Sequence, residues 1–576
     1  MRAAERIPVG KRLPSSPFWD VVAALLVLGL LVFFAEASRG VVLPLSELQA
    51  HPVSLDPMNL PLYAARTALR MLAAMGLSLV FTFTYATWAA KSRRAEVVLI
   101  PLLDILQSVP ILGFISITVV FFMSLAPDRV LGAEFAAIFA VFTSQAWNMA
   151  FSFYQSLRTV PEELNEAARS FRLGAWMTFW RLEACFAMPA LIWNMMMSMS
   201  GGWFFVVASE AISVGDITIT LPGIGSYIAV AIAQRDLGAV GLAIGAMLMV
   251  ILIYDQLLFR PLVAWADRFR FEHEVGAASP RSWVLAMLRR SRLVAWAVAP
   301  FASAWRWSFR VLARPHRAEA RTTFDVRTAR WIDWAWGAAV IAGALFAFWK
   351  AARFVMTEVA LAEVGRATML GLATLTRVVV LIAIASVIWV PIGIWIGLRP
   401  KLARVGQPIA QFMAAFPANV LFPIAVSAIV AFQLNPDIWL SPLMVLGTQW
   451  YILFNVIAGA STIPGELRDL SRNLGVEGWL WWRKVALPAV FPFYVTGAIT
   501  ASGGSWNASI VAEVASWGGD KLQARGLGAY IAEATAAGDY QRIVLGIMVM
   551  SAFVILLNRA FWHPLYRIAE NRFRLG

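Results

Sequence analysis

"TVPEELNEAARSF", residues 159–171, is a charged, helix-favouring stretch set between two long apolar runs, and the chain writes nearly the same thing again at 462–474, "TIPGELRDLSRNL". Thr159 reads as a cap and Pro161 as a first-turn residue, with Glu162 and Glu163 placed against the positive end of the helix dipole. Leu164, Ala167, Ala168 and Phe171 recur at helical spacing and form one apolar stripe, ringed by Glu162, Glu166, Arg169 and Arg172. A short helix of this kind, held between two spans, suits insertion into a groove on another protein. A solvated loop helix is the commoner fate of a single charged stretch. Recurrence at an equivalent place favours docking.

The surroundings explain why such a segment stands out. The chain has 576 residues, mean hydropathy +0.69, 14% charged residues and 26 Trp, a balance that a soluble core could not hide and a bilayer accepts. An all-α polytopic membrane protein follows. The net charge of +14 points to basic loops facing anionic headgroups rather than to nucleic acid. One cysteine, Cys185, excludes an internal disulfide, and His51, His273, His316 and His563 are scattered singly, so no metal or redox constellation is visible. The apolar run after the basic N-terminus reaches Ala35 without a clear small-residue cleavage site and reads as a retained first span.

A helix needs about 20 apolar residues to cross the hydrocarbon. Spans are expected near 18–36, 66–90, 97–126, 133–157, 186–209 and 237–259, and again near 334–352, 369–398, 406–432, 438–460, 489–512 and 541–560. Lys91, Arg93 and Arg94, then Arg158 to Arg181, then Arg260 to Arg270 fall on one side with Arg2, Arg6, Lys11 and Arg12, which makes that side cytoplasmic and puts both termini on it. The two sets match at a shift of about 300 residues. Thr67 to Arg70 aligns with Thr374 to Arg377, Pro101 and Pro110 with Pro408 and Pro417, Pro161 with Pro464, Trp176 with Trp479, "GIGSYI" at 223 with "GLGAYI" at 526, and Asp236 with Asp539. Each half holds an even number of spans, so the expected architecture is two parallel six-helix repeats, about 12 transmembrane helices, in domains 1–275 and 331–576.

Between them, 276–330 holds eleven Arg, no Lys, and only Glu319 and Asp325 as acids, interleaved with Trp283, Trp296, Trp305 and Trp307. Its longest uncharged run, Leu293 to Trp305, is too short to span. The expectation is an amphipathic linker on the inner leaflet, where Arg meets lipid phosphates and Trp sits at the interface; a solvated tether is the alternative.

"EELNEAARSFRLGAWMTFWR" followed by "MPAL", and "GELRDLSRNLGVEGWLWWRKVALPAV", resemble the cytoplasmic EAA loop of ABC importer permeases. "ATLTRVVVLIAIASVIWVPIGIWIGLRPKL" and "QPIAQFMAAFPANVLFPIAV" resemble the nitrate/sulfonate/taurine branch. The resemblance implies the type I ABC importer permease fold in a bacterial inner membrane, with two permease domains fused. It implies coupling helices that dock ATPase subunits through Glu163, Glu166, Ala167, Arg169 and Gly174 in the first half and Glu466, Asp469, Arg472 and Gly475 in the second. It further implies two separate ATPases holding ATP and Mg, an external substrate-binding protein, and a small anionic substrate such as nitrate, sulfonate, taurine or bicarbonate. No Gly-x-x-x-x-Gly-Lys-Ser/Thr occurs in the chain, so no ATP is cradled here by that route. The halves depart from the pattern differently: Arg172 stands where the family glycine should fall, with Gly174 two residues on, and the second half writes Asp469-Leu470-Ser471 for Glu-Ala-Ala.

Arg70 and Arg377 fall inside the outer ends of matching spans, where a charge costs up to roughly 2.5–3.5 kcal/mol. Two symmetry-related guanidinium groups would suit an anion by bidentate pairing; snorkelling or pairing with an outer carboxylate is the alternative. Gly202-Trp203 and Gly504 to Trp506 are candidates for the substrate pathway, with close helix packing as the plainer reading. Glu210 and Glu513 read as loop caps or gates, and Gly223, Gly225, Gly526 and Gly528 as turn glycines. A secondary transporter of two parallel repeats would need ionisable groups near the midplane, where few are found, and no constellation suggests a membrane enzyme.

Overall fold

The computed structural model describes residues 17–38, 44, 46, 52–127, 129–214, 217–269, 282–311, 326–357 and 359–573. In the first half, α1 (Pro17–Ser38), α2 (Pro57–Lys91), α3 (Arg93–Ser108), α4 (Ile111–Leu125), α5 (Val130–Arg158), α6 (Glu162–Ser170) and α7 (Ala175–Glu210) lead into a hairpin, β1 (Ala211–Val214) and β2 (Ile217–Thr220). Then come α8 (Ile224–Ala233) and α9 (Leu237–Phe269). Two helices of the connecting segment follow, α10 (Trp283–Arg290) and α11 (Arg292–Val311).

The second half is α12 (Val326–Met356), α13 (Leu361–Gly397), α14 (Pro400–Ala415), α15 (Ala418–Ala431), α16 (Pro436–Leu446), α17 (Gln449–Ser461), α18 (Gly465–Asn473) and α19 (Gly478–Ala512). A hairpin of β3 (Val514–Trp517) and β4 (Asp520–Gln523), α20 (Leu527–Ala537) and α21 (Tyr540–Ala569) complete it. α12 begins at Val326, five residues before the expected start of the second domain at 331.

Helices dominate because a backbone in hydrocarbon must satisfy its polar groups internally. Eight described helices are long and apolar enough to cross a bilayer, and ten if each of two bent pairs counts as one span. The other two expected crossings fall on α1 and on the α3–α4 pair. The spans expected at 97–126 and 406–432 are not straight: the first breaks at Val109-Pro110, and α14 meets α15 at 77° across Phe416-Pro417. Proline lacks the N–H for the helix ladder and drives its predecessor out of the helical region, as Phe416 shows at ψ 127°.

The duplication is visible in the backbone. A π-helical turn opens α7 at Phe179–Glu183 and α19 at Trp482–Ala486, and another falls in α9 at Asp255–Phe259 and in α21 at Asn558–Trp562. Ion pairs show which helix ends lie together. Lys91 Nζ meets Glu183 at 2.8 Å and Tyr154 Oη donates to Glu96, beside α6; Arg468 donates to the Leu398 carbonyl, beside α18. At the opposite end Arg70 joins Glu134 and Glu210, and Arg377 joins Asp437 and Glu513. The hairpin ends of the two halves meet through Arg235 and Asp520 at 2.7 Å and a Gly518 N–H to Ile232 carbonyl bond of 2.9 Å. Both repeats thus run in the same sense, with α6 and α18 at one end and both hairpins at the other.

The bent elements exchange across the interface. α4 packs on α19 and α21 of the other half, and α14 and α15 pack on α7 and α9. The Ile111 N–H donates to Asn507 Oδ1 at 2.7 Å, and Asn419 Nδ2 donates to the Phe204 carbonyl at 3.1 Å. One continuous buried core runs through both halves.

Candidate functional site

At the end carrying α6 and α18, both helices begin directly after a proline, Pro161 and Pro464, whose extended ψ of 139° and 138° sets the chain's entry. Thr159 does not cap α6: its hydroxyl donates back to the Gln155 and Ser156 carbonyls and so closes α5. Glu162, Glu163, Glu166 and Arg169 are exposed on α6, Ala167 is half-buried, and Ala168 alone of the expected stripe is buried. Phe171 turns outward at 78% exposure. On α18, Glu466, Asp469 and Arg472 are exposed beside Leu470 and Leu474. Each helix therefore presents acids and an apolar tip on the same open surface.

The two helices end alike. The Leu173 N–H returns to the Ala168 carbonyl at 3.0 Å, and the Val476 N–H to Ser471 at 2.8 Å. Such a return needs a left-handed residue at its apex. Gly475 supplies it at φ 65°, and Arg172 takes the same role at φ 51°. Gly174, expected to carry the displaced family glycine, instead precedes α7 in extended conformation at φ −66° and is buried. Arg172 thus stands at the turn position that Gly475 fills in the second half.

Between the halves lies a cavity lined by Ser200 and Phe204 from α7 and by Phe416, Thr448, Tyr451 and Asn507 from the second half. Ser200 Oγ and Tyr451 Oη are 2.6 Å apart, a hydrogen bond joining the repeats, and Thr448 Oγ1 lies 3.0 Å from Ser505 Oγ. Among the described residues the lining carries no charge and is mostly apolar, with three hydroxyls and the Asn507 amide set among Phe, Leu, Met and Ala side chains. Gly504 lines it, its absent Cβ leaving room for Thr448 Cγ2. Gly202 faces away from it, against Gln145 and Met71, where close packing is its role. Trp203 and Trp506, each 1% exposed, are core: Trp203 packs edge-on to Tyr254 and Trp506 stacks on Phe553. Neither lines the cavity.

Arg70 and Arg377 are not in the cavity either. Arg70 is 3% exposed, holds Glu134 with two bonds of 2.6 Å, and reaches Glu210 Oε1 at 2.7 Å and the Pro222 carbonyl at 3.1 Å. Arg377 reaches Glu513 and Asp437, each at 3.2 Å, and the Arg525 carbonyl. Two carboxylates and a carbonyl engage each guanidinium, through four hydrogen bonds at Arg70 and three at Arg377. The expected anion clamp gives way to a buried ion cluster, because the carboxylates on neighbouring helices neutralise the cost of burying the charge.

The clusters also explain the repeated glycines. Glu210 accepts from Thr67 Oγ1 at 2.7 Å and the Gly225 N–H at 2.7 Å, and Glu513 accepts from Thr374 Oγ1 at 2.8 Å and the Ala529 N–H at 3.0 Å. Each carboxylate thus caps the helix that follows the hairpin. Gly223 and Gly526 are extended, at φ −177° and −160°, so no left-handed turn demands them. A Cβ on either would fall on the capping carboxyl. The role of Glu134 and Asp437 went unread in the sequence. The isolation of Glu134 among apolar residues was an available signal, whereas Asp437, after Asn435 and Pro436, reads as an ordinary helix-start acid.

Both halves match one family model, the binding-protein-dependent transport system inner membrane component, over residues 57–260 and 389–575, and the chain belongs to that family. Its relatives include the bicarbonate transport system permease protein CmpB of Synechococcus elongatus, 32% identical over 188 residues, 33% of this chain and 64% of the relative. The nitrate import permease protein NrtB of Leptolyngbya laminosa is 28% identical over 186 residues, 32% of this chain and 63% of the relative. The glycine betaine/proline betaine transport system permease protein ProW of Escherichia coli is 26% identical over 201 residues, 34% and 55% of the two chains. The chain thus spans somewhat less than two thirds of the length of the first relatives it matches.

Proposed function

We propose that this chain is the membrane pathway of an ATP-driven importer of a small anion, with α6 and α18 each docking a separate ATPase subunit that holds ATP and Mg, and with an external binding protein delivering substrate at the hairpin end. The single observation that carries the reading is the pair of exposed charged helices, α6 and α18, at one end of two parallel repeats. The Lys and Arg concentrated at that end support reading it as the cytoplasmic side of a bacterial inner membrane, on which this reading also puts both termini. The anion class rests on the bicarbonate and nitrate relatives and on the cavity's lining. The lining holds no charge to trap a substrate, and passage requires binding weak enough to release. The chain itself catalyses nothing in this reading. A secondary transporter is disfavoured by the family and by the placement of the buried charges Arg70, Glu134, Glu210 and Glu513 at the hairpin end rather than mid-span.

The test is purification of the chain with its ATPase. Two copies should co-purify, and Glu466→Lys with Asp469→Lys should lose the subunit or uncouple hydrolysis. Uptake driven by an ion gradient with no ATPase present would overturn the reading.

A further inference from the structure

Trp176 and Trp479 hold matching places just after α6 and α18, yet their surroundings differ. Trp479 is 74% exposed. Trp176 is half-buried beneath the connecting helix α11: its indole N–H donates to Ser308 Oγ at 3.3 Å, and Trp305 packs on Trp176 and on Trp180 with centroids 6.3 and 4.9 Å away. The Arg181 guanidinium lies 5.1 Å from the Phe309 ring. Among the described residues, the first coupling loop therefore carries a strap that the second lacks.

The other end of the strap is tied to α1. Asp20 Oδ1 accepts from Ser291 Oγ at 2.8 Å and from the Arg292 N–H at 2.6 Å, capping α11, while Val284 and Met287 of α10 pack on Ala23. Leu257, in the π turn of α9, joins the same cluster. Both anchors of α11 thus lie at the end of the bundle that carries α6, and a helix of 20 residues, about 30 Å long, runs across that end and not through the membrane.

Its middle is bare. Trp296 is 80% exposed, Phe301 76% and Trp307 63%. Exposed Arg289 and Arg292 stand at its start and exposed Arg306 near its finish, with no acidic residue anywhere on α10 or α11. Apolar rings bracketed by cations match a lipid surface with anionic headgroups: the rings enter the acyl boundary and each Arg near the surface adds about 1 kcal/mol.

From these contacts we infer that α11 is a membrane-surface helix for anionic lipid, and that its engagement fixes the first coupling loop through Trp305 while leaving the second free. The inference rests on the coupling role proposed for α6, but its lipid contact does not. Two measurements on the full chain in nanodiscs, without any ATPase, test it independently of transport. A nitroxide at F301C in a C185A background should become more accessible to oxygen and less to a water-soluble nickel chelate when phosphatidylglycerol is added to phosphatidylcholine. R289Q/R292Q/R306Q should abolish that shift. Hydrogen exchange over 162–183 should slow several-fold with phosphatidylglycerol, exchange over 465–486 should not change, and W305A should lose the response.

A label that stays water-accessible in anionic discs makes α11 a solvated tether and overturns the inference. So does protection that arises only when the ATPase is added, which would mark a protein docking face. A label that inserts while 162–183 ignores lipid composition overturns the strap.

Discussion

Arg172 and Gly475 close α6 and α18 in the same left-handed turn, at φ 51° and 65°, although only glycine adopts that conformation without a steric cost. The first turn survives because its return bond, from the Leu173 N–H to the Ala168 carbonyl, is kept at 3.0 Å. Strain of about 1–2 kcal/mol is expected at Arg172. Arg172→Gly should slow exchange of the Leu173 amide by an amount worth about 0.5–1 kcal/mol, net of glycine's own entropy cost, and Gly475→Ala should speed exchange at Val476 by a similar amount. Equal exchange in wild type and Arg172→Gly would mean the arginine turn is unstrained.

The two ion clusters should differ in what they contribute to stability. Arg70→Met leaves Glu134 and Glu210 buried without their cation, for a loss of about 3–5 kcal/mol. Arg377→Met should cost less, on the order of 1–2 kcal/mol, because Asp437 is 37% exposed and water reaches it. Thermal midpoints in detergent would order the variants, and a larger loss at Arg377 would contradict the burial argument.

Steric crowding at the capping carboxylates predicts a sharp contrast among glycines. Gly223→Ala or Gly526→Ala drives a methyl onto a carboxylate held in place by a threonine and backbone N–H groups, at a cost of about 1–3 kcal/mol or more. Gly503→Ala meets nothing within 4 Å and should change stability by less than about 0.5 kcal/mol. Comparable melting of all three would remove close approach as the reason for the repeated glycines.

The neutral cavity gives a functional prediction. Asn507→Asp keeps the oxygen that accepts the Ile111 N–H but brings a negative charge to the lining. At an effective dielectric of about 20, repulsion of an anion about 4 Å away is near 4 kcal/mol. Uptake of nitrate or bicarbonate in proteoliposomes should fall by at least about tenfold, while ATPase co-purification holds. Undiminished uptake would place the anion elsewhere.

Much of this molecule was readable in one dimension. Apolar length marked the spans, since crossing depends on local composition against a bilayer. The repeat could be found because punctuation such as Pro161 with Pro464 and Trp176 with Trp479 keeps its order. The exposed helices α6 and α18 were legible for the same reason: their charges are local, exposed and duplicated. What the sequence left open was partnership across space. A lone Arg70 looks the same whether it waits for an anion or already holds Glu134 and Glu210, which lie 64 and 140 residues away along the chain. Trp203 resembles a pathway residue until its burial against Tyr254 is seen, and nothing local tells that Trp176 is strapped by α11 while Trp479 is bare. Hydropathy and spacing are sums over neighbours in sequence; neutralisation, burial and docking depend on which distant side chains the packed helices bring within a few ångströms, and only the tertiary structure decides that.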